Sequence, residues 1–243
     1  MNTRPVIYQA KHFASVTAHE AVALVTGFNG QASDLGRAAV SLAMSGRDVF
    51  VYAPEPDILL SGDPALLPAY ATETARQFRA YAADYPARRY SGYSLGGGIA
   101  ANMQKNDPEA LPGLYAATGI DAARLVTSNV MFRAMVYALH KTDIRRRYAE
   151  RGYGNEQLAR TWQPFQEPPH SFTLALGALD YIVRPREIRQ KLASWQPNHA
   201  MRIIQVTGCG HNGMKRWFNA HVLSMVDELP CSNQLQPRSD AFE

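Results

Sequence analysis

Short apolar runs alternate with helix-periodic segments, and this most constrains what the chain can fold into. Ala21-Val22-Ala23-Leu24-Val25 is apolar at every position and too short for a free-standing helix, so it reads as a strand covered on both faces. It gives way to Thr26-Gly27-Phe28-Asn29-Gly30. Leu35, Ala38, Ala39, Leu42 and Ala43 then recur at helical spacing, with Ser33 placed as an N-cap and Gly46 as the stop. Residues 48–53 repeat the strand signal. After a loop rich in Pro and Asp, a long helix is expected over 64–85, with Leu67, Tyr70, Ala71, Thr74, Phe78 and Tyr81 on its apolar side. Alternation of this kind requires a mostly parallel sheet with helices on both faces, the doubly wound α/β class.

The pattern continues along the chain. Residues 6–8 could add a short edge strand. Arg89-Tyr90-Ser91-Gly92-Tyr93 is polar for a buried strand, yet it falls where the alternation needs one, and residues 95–104 read as the helix that follows. Further strands are expected at 124–128, 172–176 and 201–206. Between Met131 and His170 the alternation stops; helices at 134–151 and 155–162 are expected there, as a lid insertion or as extra packing helices. A last helix over 214–229 ends at Pro230, and the polar tail from 230 to 243 is expected to be disordered. Residues 1–229 are thus read as a single domain, a usual length for the α/β class.

Composition narrows the function. The 46% hydrophobic content suits a soluble protein, and no apolar run approaches the roughly 18 residues of a membrane helix. The first fifteen residues have no apolar segment followed by a small-residue cleavage site, so a cytoplasmic location is expected. Two cysteines, Cys209 and Cys231, make no disulfide framework, and no Cys/His spacing suggests a metal site; neither metal nor cofactor is expected. The net charge of +4 is spread out except at Arg145-Arg146-Arg147, which reads as a solvated helix face and not as a nucleic-acid patch. No nucleic-acid partner is expected.

Three short segments carry the chemistry. In Gly92-Tyr93-Ser94-Leu95-Gly96 the glycines allow a sharp strand-to-helix turn that exposes the Ser94 hydroxyl. A serine hydroxyl is a poor nucleophile near neutral pH and needs a base, itself oriented by a third group. Gly177-Ala178-Leu179-Asp180 follows one expected strand, and Gly208-Cys209-Gly210-His211 follows the last. Groups at the carboxyl ends of parallel strands converge, so Ser94, Asp180 and His211 would meet. Taken singly, Asp180 could be a turn former and His211 a surface residue; Cys209 is a weak alternative nucleophile, and His140 and His170 read as solvent-facing or packed side chains.

In the order Ser, Asp, His and in these three motifs the chain resembles the α/β-hydrolase fold serine hydrolases: esterases, lipases and thioesterases. The resemblance spans roughly residues 21–229. It implies Ser94 as nucleophile, His211 as general base and acid, and Asp180 as the group holding the imidazole. It further implies an oxyanion hole from the amides of Leu95 and Phe28, although Thr26-Gly27 stands where the family commonly has His-Gly. Tyr93, Asn29, Met131, Phe132 and Trp162 are candidates to line a substrate pocket, with simple core packing as the alternative for the aromatic and Met side chains. The implied activity is hydrolysis of a small or medium ester or thioester through an acyl-enzyme. Carbon-carbon bond hydrolysis, transfer to another acceptor, and a non-catalytic binding module remain open as alternatives.

Overall fold

The computed structural model describes residues 9–119, 122–161, 171–193 and 200–218. Seven strands form one sheet: β1 (Gln9–Phe13), β2 (Glu20–Val25), β3 (Arg47–Ala53), β4 (Arg88–Tyr93), β5 (Ala110–Ala116), β6 (Ser171–Gly177) and β7 (Ala200–Val206). Their spatial order is β1-β3-β2-β4-β5-β6-β7. Only β1 runs antiparallel; every other pairing is parallel. The helices are α1 (Gly36–Met44), α2 (Asp57–Leu60), α3 (Leu66–Tyr81), α4 (Leu95–Lys105), α5 (Ala122–Thr127), α6 (Val130–His140), α7 (Ile144–Glu150), α8 (Asn155–Thr161), α9 (Pro185–Ala193) and α10 (Gly213–Trp217).

Alternate residues of the central strands feed two apolar layers, as expected of a sheet covered on both faces. Ala21, Ala23 and Val25 of β2 pack with Tyr70 and Phe78 of α3 and with Ile99 of α4 on one side. Val22 and Leu24 join Ala39 and Leu42 of α1 and Met214 of α10 on the other. Among the described residues no helix is long and apolar enough to cross a membrane, and no three His, Cys, Asp or Glu side chains group as metal ligands.

Strand β4 is buried despite its polar sequence because each polar group has a partner. Arg89 donates to Glu20 at 2.5 Å and to the Pro112 carbonyl at 2.6 Å, and Arg47 donates to the other Glu20 oxygen at 3.0 Å. The Tyr90 hydroxyl donates to Asp107 at 2.7 Å, and Arg88 grips the same carboxylate through two nitrogens at 2.8 and 3.0 Å. Ser91 Oγ accepts from the Leu114 amide. These bonds offset the desolvation of the buried polar groups, which unpaired would cost several kcal/mol each.

Four expectations need correction. Residues 124–128 are not a strand: α5 covers 122–127, with Ala123 and Val126 buried and Arg124 outward. The fifth strand lies instead at 110–116. Ser33 does not cap a helix directly; it lies in a short 3₁₀ turn, Ala32–Leu35, and α1 begins at Gly36. The helix expected over 134–151 is two helices, at 130–140 and 144–150, and the one after it covers 155–161. Residues 6–8, Trp162, His170, Cys231 and the tail lie outside the described residues, as does most of the last helix expected over 214–229, of which 214–218 is described and 214–217 is helical.

Candidate active site

Ser94 occupies the turn between β4 and α4 with φ 56° and ψ −124°, a region a non-glycine residue enters only under constraint. The surroundings supply that constraint. The Ser94 amide donates to the Ala116 carbonyl at the end of β5, 2.8 Å away. A Cβ on Gly92 would collide with the Gly96 carbonyl, and one on Gly96 with the carbonyls of Val25 and Thr26, in each case closer than the 3.0 Å that Cβ atoms keep. Small residues are therefore required on both sides of the serine. Strain of this type costs about 1–3 kcal/mol and holds the hydroxyl clear of the sheet.

Asp180 follows β6 and is buried, with no exposure of its side chain. Its Oδ1 accepts the amides of Ile182 at 2.9 Å and Val183 at 2.8 Å, leaving Oδ2 to meet His211 Nδ1 at 2.8 Å. His211 Nε2 lies 2.9 Å from Ser94 Oγ. A carboxylate can only accept, so the proton of a neutral imidazole belongs on Nδ1 and Nε2 is left bare toward the serine O–H. The two later turns are tied together: the Leu179 amide donates to the Cys209 carbonyl at 2.9 Å, and Ala178 to the Val206 carbonyl at 2.9 Å. Cys209 thus serves this clasp through its backbone.

The loop after β2 passes directly over the serine. A Cβ on Gly27 would stand 3.1 Å from Ser94 Cβ, and Gly30 donates to the Gly27 carbonyl at 3.1 Å, closing the turn that carries Phe28. Asn29 is exposed and left-handed at φ 56°, shaping that turn. Leu95 opens α4, where the first-turn amides have no acceptor within the helix. The Phe28 ring meets Phe132 and His140 of α6 edge-on, at centroid distances of 5.7 and 5.6 Å. Phe132 is buried in that contact, whereas Met131 is exposed.

Tyr93 has a role that its sequence position did not signal. Its hydroxyl donates to the His211 carbonyl at 2.8 Å and its ring lies 5.3 Å from the imidazole, so it braces the histidine loop. Burial, with the Asp180 charge nearby, pushes the phenol well above its ordinary pKa, so it stays a donor. Two members of the basic cluster on α7 are occupied locally: Arg146 pairs with Glu150 at 2.7 Å, and Arg147 donates to the Leu60 carbonyl at 3.0 Å.

This architecture is the α/β-hydrolase fold. No family model matches the chain, and no curated protein matches it by sequence. Solved structures do. It is similar to MGS-MChE2, an α/β hydrolase enzyme from the metagenome of lagoon sediments at Mar Chica, Morocco, with a TM-score of 0.63 and 14% identity over 93% of this chain and 97% of that one. It is similar also to a thermophilic esterase of the planctomycete Thermogutta terrifontis with butyrate bound, with a TM-score of 0.61 and 14% identity over 91% and 87% of the two chains. A thioesterase domain from the curacin biosynthetic pathway aligns with a TM-score of 0.53 and 14% identity over 90% of this chain and 94% of that domain.

Proposed function

We propose that the protein is a serine hydrolase that cleaves a carboxylic ester or thioester of small or medium size through an acyl-enzyme on Ser94. The observation that carries this reading is the continuous chain of contacts from Asp180 Oδ2 through both nitrogens of His211 to Ser94 Oγ, at 2.8 and 2.9 Å. The esterase and thioesterase neighbours share the fold on which such chemistry is common. In this reading Ser94 Oγ attacks the substrate carbonyl as its proton passes to His211 Nε2. The resulting imidazolium is stabilised by Asp180, and the oxyanion by the amides of Leu95 and Phe28. Collapse of the tetrahedral intermediate breaks the bond to the alcohol or thiol, which leaves with the proton from Nε2. Water then gives up a proton to His211, attacks the acyl-enzyme, and frees the acid and Ser94. The described helices of the insertion, α6 to α8, act as a lid in this account, since Phe132 and His140 of α6 pack against the Phe28 ring.

A panel of p-nitrophenyl esters and acyl-coenzyme A thioesters, with Ser94→Ala as control, tests the proposal. Turnover of at least one class that disappears in Ser94→Ala is expected. Absence of turnover across both classes, or turnover that survives the substitution, contradicts it.

A further inference from the structure

Turns from distant parts of the chain meet at Ser94. The one after β2 carries Phe28, and the one after β7 carries His211. An oxyanion donor and a base that act on the same carbonyl must keep a fixed separation, since a misplacement of 1 Å costs up to about 10² in rate. Three side chains, Asp34, Lys215 and Tyr93, join these two turns to the nucleophile turn.

Tyr93 is the centre of the cluster. Its ring is buried, and a Cβ on Gly27 would stand 3.2 Å from two of its carbons, so the turn after β2 lies directly against it. At the far end of the ring the hydroxyl holds the His211 carbonyl. Lys215 Nζ lies 5.6 Å from the ring centroid, within the range of a cation–π contact. Lys215 moves with the histidine turn: the Met214 amide donates to the His211 carbonyl and the Lys215 amide to the Asn212 carbonyl, both at 3.3 Å. The same ammonium donates to Asp34 Oδ2 at 3.2 Å. Asp34 belongs to the other side, in the 3₁₀ turn that follows Gly30, where its Oδ2 accepts the Gln31 amide at 3.1 Å and its own amide donates to the Gln31 carbonyl at 2.9 Å. The Lys215 and Asp34 side chains are 31% and 36% exposed. A pair this accessible adds little to the stability of the fold, so its effect falls on where the two turns sit.

We infer that Lys215 is a positioning residue for the hydrolysis proposed above. Through Asp34 it holds the turn that carries Phe28, and through Tyr93 and its own helix it holds the turn that carries His211. The inference rests on the hydrolase reading and adds to it a residue outside the triad. Losing the ammonium lets the two turns shift against each other without unfolding. Complete loss of an oxyanion donor costs about 10² to 10³ in turnover, so a partial displacement is expected to cost about tenfold. The loss falls on kcat, because the register of donor and base matters in the transition state and not in substrate binding.

The test measures the rate at which a neutral fluorophosphonate labels Ser94, together with kcat and KM for an ester that the parent turns over, in Lys215→Met, Lys215→Arg, Asp34→Asn and the Asp34→Asn/Lys215→Met pair. Lys215→Met is expected to slow labelling and kcat about tenfold with KM within about twofold of the parent. Lys215→Arg, which restores the cation, should recover the rate. Asp34→Asn should also slow labelling, and the paired variant should be no more than about twofold slower than Lys215→Met, since both substitutions break one contact. Melting curves separate this from damage to the fold: a loss accompanied by a fall in Tm of more than about 5 °C belongs to stability and overturns the inference. Labelling of Lys215→Met at the parent's rate, a loss that Lys215→Arg does not recover, or losses that multiply in the paired variant overturn it as well, and all of these leave the hydrolase reading intact. If Ser94 of the folded parent is not labelled at all, the hydrolase reading fails and the inference falls with it.

Discussion

Replacing Asp180 by Asn changes one atom and reverses the direction of a hydrogen bond. Oδ1 accepts two backbone amides at 2.9 and 2.8 Å, a position only an oxygen can fill. The Asn oxygen is therefore held there, and its NH₂ takes the place of Oδ2, 2.8 Å from His211 Nδ1. A donor facing Nδ1 makes that nitrogen the acceptor and moves the imidazole proton to Nε2, which then points an N–H at Ser94 Oγ, 2.9 Å away. The base can no longer take the serine proton. The same change in a serine protease lowers kcat by about 10⁴, or about 5 kcal/mol of transition-state stabilisation at 1.36 kcal/mol per tenfold. The assay is kcat for p-nitrophenyl butyrate across pH, with circular dichroism to check that the variant is folded. A folded Asp180→Asn protein that keeps kcat within tenfold of the parent refutes the reasoning about the tautomer.

Gly96→Ala is expected to leave little folded protein, because its Cβ would overlap the carbonyls of Val25 and Thr26; a melting curve equal to the parent's contradicts this. Glu20→Ala removes the buried carboxylate that Arg47 and Arg89 share and should cost about 3–5 kcal/mol in urea unfolding, whereas a loss below 1 kcal/mol shows that their bonds to Ser45 and to the Pro112 carbonyl suffice. Acid should destabilise the fold through Asp107. Burial opposes its ionisation most, but hydrogen bonds from Arg88 and Tyr90, the Arg88 charge and the Glu109 amide together outweigh it and hold its pKa below the ordinary value. A depressed carboxylate contributes stability above its unfolded pKa of about 4 and loses it as pH falls through the folded value. The stability lost between pH 5 and pH 3 should therefore be smaller in Asp107→Asn; an equal loss in the variant assigns the acid sensitivity elsewhere.

Much of the architecture was legible because β2 and β3 contain continuous apolar runs and β6 one broken only at Thr173, which few other structures accommodate. Strand β5 was not. Its sequence, Ala-Leu-Pro-Gly-Leu-Tyr-Ala, contains two residues that argue against a central strand. The structure admits them at a register shift, where Leu111 pairs with Arg89 but Leu114 with Ser91, so Pro112 and Gly113 together oppose Tyr90. There Pro112 needs no amide, and its carbonyl accepts from the buried Arg89. The mistaken strand at 124–128 has a different cause: five residues with two apolar positions do not separate a strand from a buried helix turn, and one face of α5 is all that is buried.

That Ser94, Asp180 and His211 would meet was readable for a related reason. Ser94, Asp180 and His211 each follow a strand that the apolar pattern or the alternation marks, and parallel strands deliver their following loops to one edge. What lay beyond reach depended on contacts between distant segments. Nothing adjacent to Tyr93 in sequence signals that its hydroxyl bonds to the His211 carbonyl 118 residues away. Likewise, Arg124 and Arg184, sixty residues apart, come to line one cavity only through the packing of α5 near the Asp180 turn. Of the visible cluster at 145–147, Arg146 is instead taken up by Glu150 and Arg147 by the Leu60 carbonyl.

The central claim is that Ser94 is an activated nucleophile, and covalent labelling tests it most directly. Incubation with a fluorophosphonate, followed by peptide mass spectrometry, should find the phosphonyl adduct on Ser94, with labelling abolished in Ser94→Ala and slowed by at least a hundredfold in His211→Ala. An unlabelled Ser94 in folded protein, or labelling at the same rate without His211, would contradict the account.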